Sequence, residues 1–194
     1  MSTYRVLVVC TGNICRSPFA ERLLRARLDE RFGAAAQSIE ISSAGTYGLV
    51  GEPMMPEAAE TLIRYGGRPD EFASCAVDRE RIEAADLVLG LAREHRGAIV
   101  TMLPRASAKT VTVREYARLL TGVVPADLAG SGPELADRFR AMTTLAFGRR
   151  GFAPPKDPSD DDVPDPFGGP MAAYERAAVM IHEALEVPLS LLAG

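Results

Sequence analysis

The chain has 194 residues, a net charge of −4 and 47% hydrophobic residues, which suits one globular domain over residues 1–194 and gives no general basic surface for a nucleic-acid partner. Only three cysteines, no charged-then-apolar leader and no apolar run near the roughly 18 residues of a membrane span argue against a disulfide scaffold and a membrane partner. A reducing, cytoplasmic setting is expected, and no internal repeat is visible.

Val6, Leu7, Val8 and Val9 form an uninterrupted aliphatic run, the pattern of a parallel-sheet strand covered on both faces. It ends at Cys10. Ser17 suits the cap of a following helix and Pro18 its first position, so the intervening loop lies at a helix N-terminus. Free N–H groups and the positive end of the helix dipole make such a place a site for phosphate or another oxyanion. Gly12 and Asn13 tolerate positive φ, so successive N–H groups can turn inward as a nest. Arg16 completes the cradle with a planar fork that binds two oxygens of a tetrahedral anion. Thr11, Gly12, Asn13, Ile14, Cys15, Arg16 and Ser17 are therefore the expected phosphate-binding residues.

Cys10, at the floor of this cradle, is the candidate nucleophile, because the arginine and the helix end favour its thiolate form. A lone cysteine ending a buried strand is most often a small apolar filler. A C-x5-R-S loop between a buried strand and a Ser-Pro helix start is far more specific. A nucleotide-binding loop would need Gly-Lys-Ser or Gly-Lys-Thr, which this loop lacks.

Residues 18–32 form an amphipathic helix with Phe19, Leu23, Leu24 and Leu28 on one side and Glu21, Arg22, Arg25 and Asp29 on the other, ended by Gly33. Ile39 and Ile41 alternate with polar residues, so residues 38–43 read as a second strand closing a right-handed β-α-β unit. Residues 44–48 are a turn at the carboxyl edge of that strand, which faces the ligand crevice in open α/β sheets and makes Tyr47 a candidate pocket wall. Helices follow at 55–65, stopped by Gly66-Gly67, and at 82–85. A third strand is expected at 87–91, a helix at 93–103, a fourth strand at 110–113 and a helix at 114–121. The segment at about 122–164 is extended and irregular, with one additional helix at 133–147. Within it, residues 153–164 are rich in proline and aspartate and predict a loop that covers or flanks the pocket. Met171, Tyr174, Ala178, Ile181 and Leu185 mark a last helix closed by Pro188. The fold class is α/β, a three-layer α/β/α arrangement on a four-stranded parallel sheet.

Asp165 differs from the other acids of its loop because it stands just before the last helix and Pro166 holds its backbone extended, so its carboxyl can be aimed. Such an acid gives a proton to a departing phenolate or alkoxide and, as carboxylate, later activates water. Phe167 offers an apolar wall for an aromatic leaving group. Asp160, Asp161 and Asp162 have the spacing that opens metal-dependent phosphatase sites, but they follow Pro154-Pro155 instead of a buried strand, and no other cluster has ligand spacing. No metal or cofactor is expected. His95, in a polar run, and His182, on a helix, read as structural or solvated.

The loop Cys10-Thr11-Gly12-Asn13-Ile14-Cys15-Arg16-Ser17-Pro18 resembles the signature of the low-molecular-weight protein tyrosine phosphatases. The resemblance continues in Ser43-Ala-Gly-Thr46, in Ala85-Asp-Leu-Val-Leu89 followed by Arg93-Glu-His95, and in Asp165-Pro166-Phe167. It implies a metal-independent phosphomonoesterase working through a cysteinyl-phosphate, with a phosphotyrosine-containing protein or a small aryl phosphate as partner. In that reading Cys10 is the nucleophile, Arg16 the phosphate ligand, Asn13 and Ser17 the loop organisers, and Asp165 the general acid. A reversible disulfide between Cys15 and Cys10 is a further implication. The chain departs from many relatives in having no tryptophan, so Tyr47 or Leu49 stands beside the pocket. Residues 72–77 replace an arginine-rich wall, and the segment at 122–164 is longer than its counterpart. Two other functions fit the loop. Arsenate resembles phosphate, so an arsenate reductase using a small-molecule thiol is one. Only Cys75 lies outside the loop, which removes a relay through two further cysteines. The other is a phosphoprotein-binding module without turnover, against which an intact Cys10, Arg16 and Asp165 argue.

Overall fold

Residues 3–152 and 154–193 are described by a computed structural model. Four parallel strands, β1 (Tyr4–Cys10), β2 (Ile39–Gly45), β3 (Leu87–Gly90) and β4 (Thr110–Thr112), are ordered β2-β1-β3-β4. The aliphatic run of β1 is uninterrupted because alternate residues enter two different cores. Val6 and Val8 face one apolar cluster, while Leu7 and Val9 face the other. The second strand lies on one side of β1 and the later strands on the other, so the order reverses between β1 and β3. That reversal opens a crevice at the carboxyl ends of the strands. Cys10 pairs with Gly45, and Val9 with Gly90, at this edge.

Helices cover both faces, as expected. The larger layer holds α1 (Arg16–Phe32), α5 (Val113–Leu119), α6 (Leu135–Gly148) and α7 (Met171–Ala193), with α2 (Pro56–Arg64) packed on α1 and α7. The smaller one holds α3 (Arg79–Ala84) and α4 (Arg93–Met102), whose Ile82 and Ile99 meet Leu7, Val9 and Val88. Among the described residues no helix is long and apolar enough to cross a membrane.

Among the boundaries that differ from the sequence reading, three show the physical reason most directly. Helix α1 begins at Arg16, with Cys15 at its cap position, so Ser17 lies inside the first turn and does not cap it. Ala44 and Gly45 extend β2 because they continue the ladder opposite Val9 and Cys10, and the turn starts at Thr46. Helix α7 runs through Pro188 to Ala193. Leu189, Leu191 and Leu192 beyond the proline are all buried, and their burial outweighs the one backbone hydrogen bond that proline removes. The additional helix in the long segment is present as α6. Its Phe139 is buried against the Tyr4 ring, with centroids 5.4 Å apart, which fastens the segment to the main core.

Candidate active site

The loop after β1 folds back over the Cys10 sulfur. Asn13 takes φ 57°, the left-handed conformation expected of it, and its backbone N–H points at Cys10 Sγ across 3.3 Å. Ser17 Oγ lies 3.0 Å from the same sulfur. The surrounding bonds place that hydroxyl in a network around Asn13. Asn13 Oδ1 accepts the Cys75 backbone N–H at 2.8 Å, which sets the amide's orientation. Asn13 Nδ2 then donates to Ser17 Oγ at 2.9 Å and to Ser43 Oγ at 2.8 Å. With its oxygen accepting from Asn13, Ser17 has its own proton free to donate to the sulfur once Cys10 is a thiolate. Ser43 donates in turn to the Glu21 carboxylate, whose pKa burial raises above the ordinary range. Two donors thus converge on Cys10, and hydrogen bonds to the charged form are those that stabilise it.

Arg16 is 3% exposed. Its Nη1 donates to the Val163 carbonyl at 3.0 Å, and its Nη2 to Asp165 Oδ2 at 2.6 Å and Thr11 Oγ1 at 3.4 Å. Asp165 Oδ1 accepts the Phe167 N–H at 3.2 Å, so the Asp-Pro-Phe turn aims the carboxyl from within. The structure thereby brings Cys10, Arg16 and Asp165 to one cavity of about 220 Å³, which Tyr47, Leu49 and Phe167 wall. Thr11, Gly12, Ile14 and Cys15 line its floor, while Asn13 and Ser17 are buried beneath. Tyr47 is 80% and Phe167 61% exposed, so both stand at the mouth.

His95 is the residue whose place the sequence understated. It is buried, with Nε2 3.0 Å from Thr11 Oγ1. Burial, and then the Arg16 charge, push its pKa down to about 4, so the imidazole is neutral at pH 7. Its Nδ1 has no hydrogen-bond partner among the described residues. The available signal was its position in the first turn of the helix that follows β3, on the crevice edge. His182 is half-buried on α7 beside the Tyr65 ring, away from the cavity. Cys10, Cys15 and Cys75 are all free thiols. Burial pushes Cys15 up to about 12, which keeps it protonated and hydrogen-bonded with Tyr174. Asp161 and Asp162 are paired with Arg118 and Arg93, and Asp160 accepts the Asp157 N–H.

A doubly covered parallel sheet whose first strand ends in a thiol cradled with an arginine, facing a carboxylate from a distant loop, defines the cysteine-dependent phosphatases as a class. Residues 5–125 match the family model described as low molecular weight phosphotyrosine protein phosphatase, and the chain belongs to that family. It is 32% identical over 180 residues to a protein-arginine-phosphatase of Bacillus subtilis, covering 93% of this chain and 91% of that one. It is 31% identical over 185 residues to a low molecular weight protein-tyrosine-phosphatase of Streptomyces coelicolor, covering 94% and 89%. The solved low molecular weight protein tyrosine phosphatase of T. tengcongensis superposes with a TM-score of 0.66 at 27% identity, covering 95% and 96%.

Proposed function

We propose that the protein hydrolyses phosphotyrosine, in proteins or small aryl phosphates, without a metal. The observation that carries this reading is the convergence of Ser17 and Asn13 on Cys10 Sγ beside a buried Arg16. Cys10 thiolate attacks phosphorus in line, forming the S–P bond as the P–O bond to the phenol breaks, and Asp165 gives its proton to the departing oxygen. Water then attacks the cysteinyl-phosphate. Asp165 carboxylate takes the water's proton, and the thiolate leaves. Arg16 and the loop N–H groups hold the equatorial oxygens throughout.

The relatives include both tyrosine and arginine phosphatases, and the cavity walls favour the first. Ile14, Leu49, Tyr47 and Phe167 offer apolar and aromatic surface suited to a phenyl ring. A phosphoguanidino group would call for a carboxylate of its own, and Asp165, the carboxylate among the described lining residues, is already taken up by proton transfer in the steps above. Free thiols suit a reducing cytoplasm. The long segment belongs to the same functional unit, since it holds Val163 and leads directly into Asp165.

The test is phosphate release, with chelator present, from peptides carrying phosphotyrosine, phosphoserine or phosphoarginine. Wild-type protein should act on phosphotyrosine, Cys10→Ser should release none, and Asp165→Ala should be slower by ~10²-fold or more. No release by the reduced wild type would overturn the reading. Preference for phosphoarginine would overturn the substrate while leaving the reaction class.

A further inference from the structure

The acidic run Asp160-Asp161-Asp162 holds no role in the reaction steps above, yet two of its carboxylates are spent on arginines of different helices. Asp162 Oδ1 accepts the backbone N–H of Arg93 at 2.7 Å, and its two oxygens take Arg93 Nε at 3.2 and 3.1 Å and Nη2 at 2.9 Å. Helix α4 has Ala92 at its cap position and no side-chain cap, so Asp162 supplies the missing acceptor from another part of the chain. Asp161, 6% exposed, forks with Arg118 of α5 through Nε at 3.0 Å and Nη2 at 2.7 Å. Val163 follows, its N–H donating to the Leu91 carbonyl at 2.8 Å and its own carbonyl accepting from Arg16 at 3.0 Å. Residues 161–163 are therefore fastened to α5, to α4, to the end of β3 and to α1. Asp165 stands two residues further on.

We propose that Asp161 with Arg118, and Asp162 with Arg93, are positioning residues for the general acid: they fix where Asp165 sits in the cavity it shares with Cys10. The inference rests on the reading of Asp165 as that acid. A general acid must lie within hydrogen-bond reach of the leaving oxygen, and an error of about 1 Å can cost ~10²-fold in rate. Only Pro164 separates the Val163 anchor from Asp165, so displacement of the anchor passes to the carboxyl. The arginine pairs are two-pronged and so hold angle as well as distance. Their placement on different helices resists rotation of the segment about either one.

Leaving groups separate this role from a general structural one. A 4-nitrophenolate departs without help, whereas phenolate, close in basicity to a tyrosine side chain, needs the proton. We would measure kcat/KM on 4-nitrophenyl phosphate and phenyl phosphate for wild type, Asp162→Asn, Arg93→Gln, Asp165→Ala and the double variant Asp162→Asn/Asp165→Ala. Asp162→Asn should lose about tenfold on phenyl phosphate and less than about threefold on the nitrophenyl ester. In the double variant the first change should add nothing to the loss from Asp165→Ala, the non-additivity of residues that act as one unit. Arg93→Gln removes the same pair from its half-exposed side and gives the same readout if Asp162→Asn folds poorly. Equal losses on both esters, no loss on either, or additive losses in the double variant would overturn the proposal. If Asp165→Ala itself left the ratio of the two esters unchanged, the acid assignment would fail first and the positioning role with it.

Discussion

Burial of His95 makes the protein less stable as the pH falls below neutrality. Its side chain is 1% exposed, and burial followed by the Arg16 charge lowers its pKa from 6.5 to about 4 against the smaller opposing pull of Asp165 and Asp162. Between those two values the unfolded chain binds a proton that the folded protein refuses, so stability falls as pH falls through this window. At pH 7 about a quarter of unfolded His95 is protonated, and at pH 5 nearly all of it is. The folded imidazole at pH 5 is still about nine-tenths neutral, which makes the loss between the two pH values about 2 kcal/mol. His95→Gln replaces the imidazole by an amide that reaches for Thr11 but does not titrate. Urea unfolding of both proteins at pH 7 and pH 5 should show wild type losing about 2 kcal/mol more than the variant on acidification. Equal losses would mean that His95 takes up its proton in the folded state, and the account of its burial would be wrong.

Ser17→Ala removes the hydroxyl that points at Cys10 Sγ, while Asn13 keeps its bond to Ser43. A hydrogen bond to a charged group is worth about 1.5–3 kcal/mol. Alkylation of Cys10 by iodoacetate at neutral pH should therefore slow by about tenfold or more, and an unchanged rate would show that the serine does not support the thiolate. Phe139→Ala empties a buried ring site against Tyr4 and should cost ~3–5 kcal/mol in chemical denaturation. A loss below about 1 kcal/mol would show α6 to be peripheral to the fold.

What could be read directly from the chain was what is local in it. The β1 run, the tight loop and the helix after it lie within consecutive residues, and Asp165-Pro166-Phe167 carries its own turn, so the meeting of Cys10, Arg16 and Asp165 in one cavity was legible. Tyr47 as a cavity wall followed from the sheet edge its turn occupies, and Phe167 from its place beside Asp165. Non-local partners were not legible. Ser17 has the credentials of a cap, and only the approach of Asn13 and Cys10 shows where its hydroxyl goes. Glu21 falls on the polar side of α1 by periodicity, yet Ser43 on β2 meets it there, and its side chain is 17% exposed. His95 meets Thr11 only because β3 lies beside β1. Pro188 reads as a stop because a sequence shows the lost backbone bond but not the leucines buried beyond it.

Arg16 ties the fold to the chemistry through the separate duties of its two terminal nitrogens. A guanidinium this buried is costly to leave without a counter-charge, and Asp165 provides one when the loop is empty. A phosphate group would offer the fork more charge and a matching pair of oxygens, and so would compete with the carboxylate for Nη2. Nη1 keeps its bond to Val163. The guanidinium would then change partner at one nitrogen without losing its orientation, because the other is held at Val163, two residues before Asp165. An acid brought in from an unanchored loop would neutralise Arg16 equally well in the empty site, but it would leave nothing to hold the fork once the phosphate arrived.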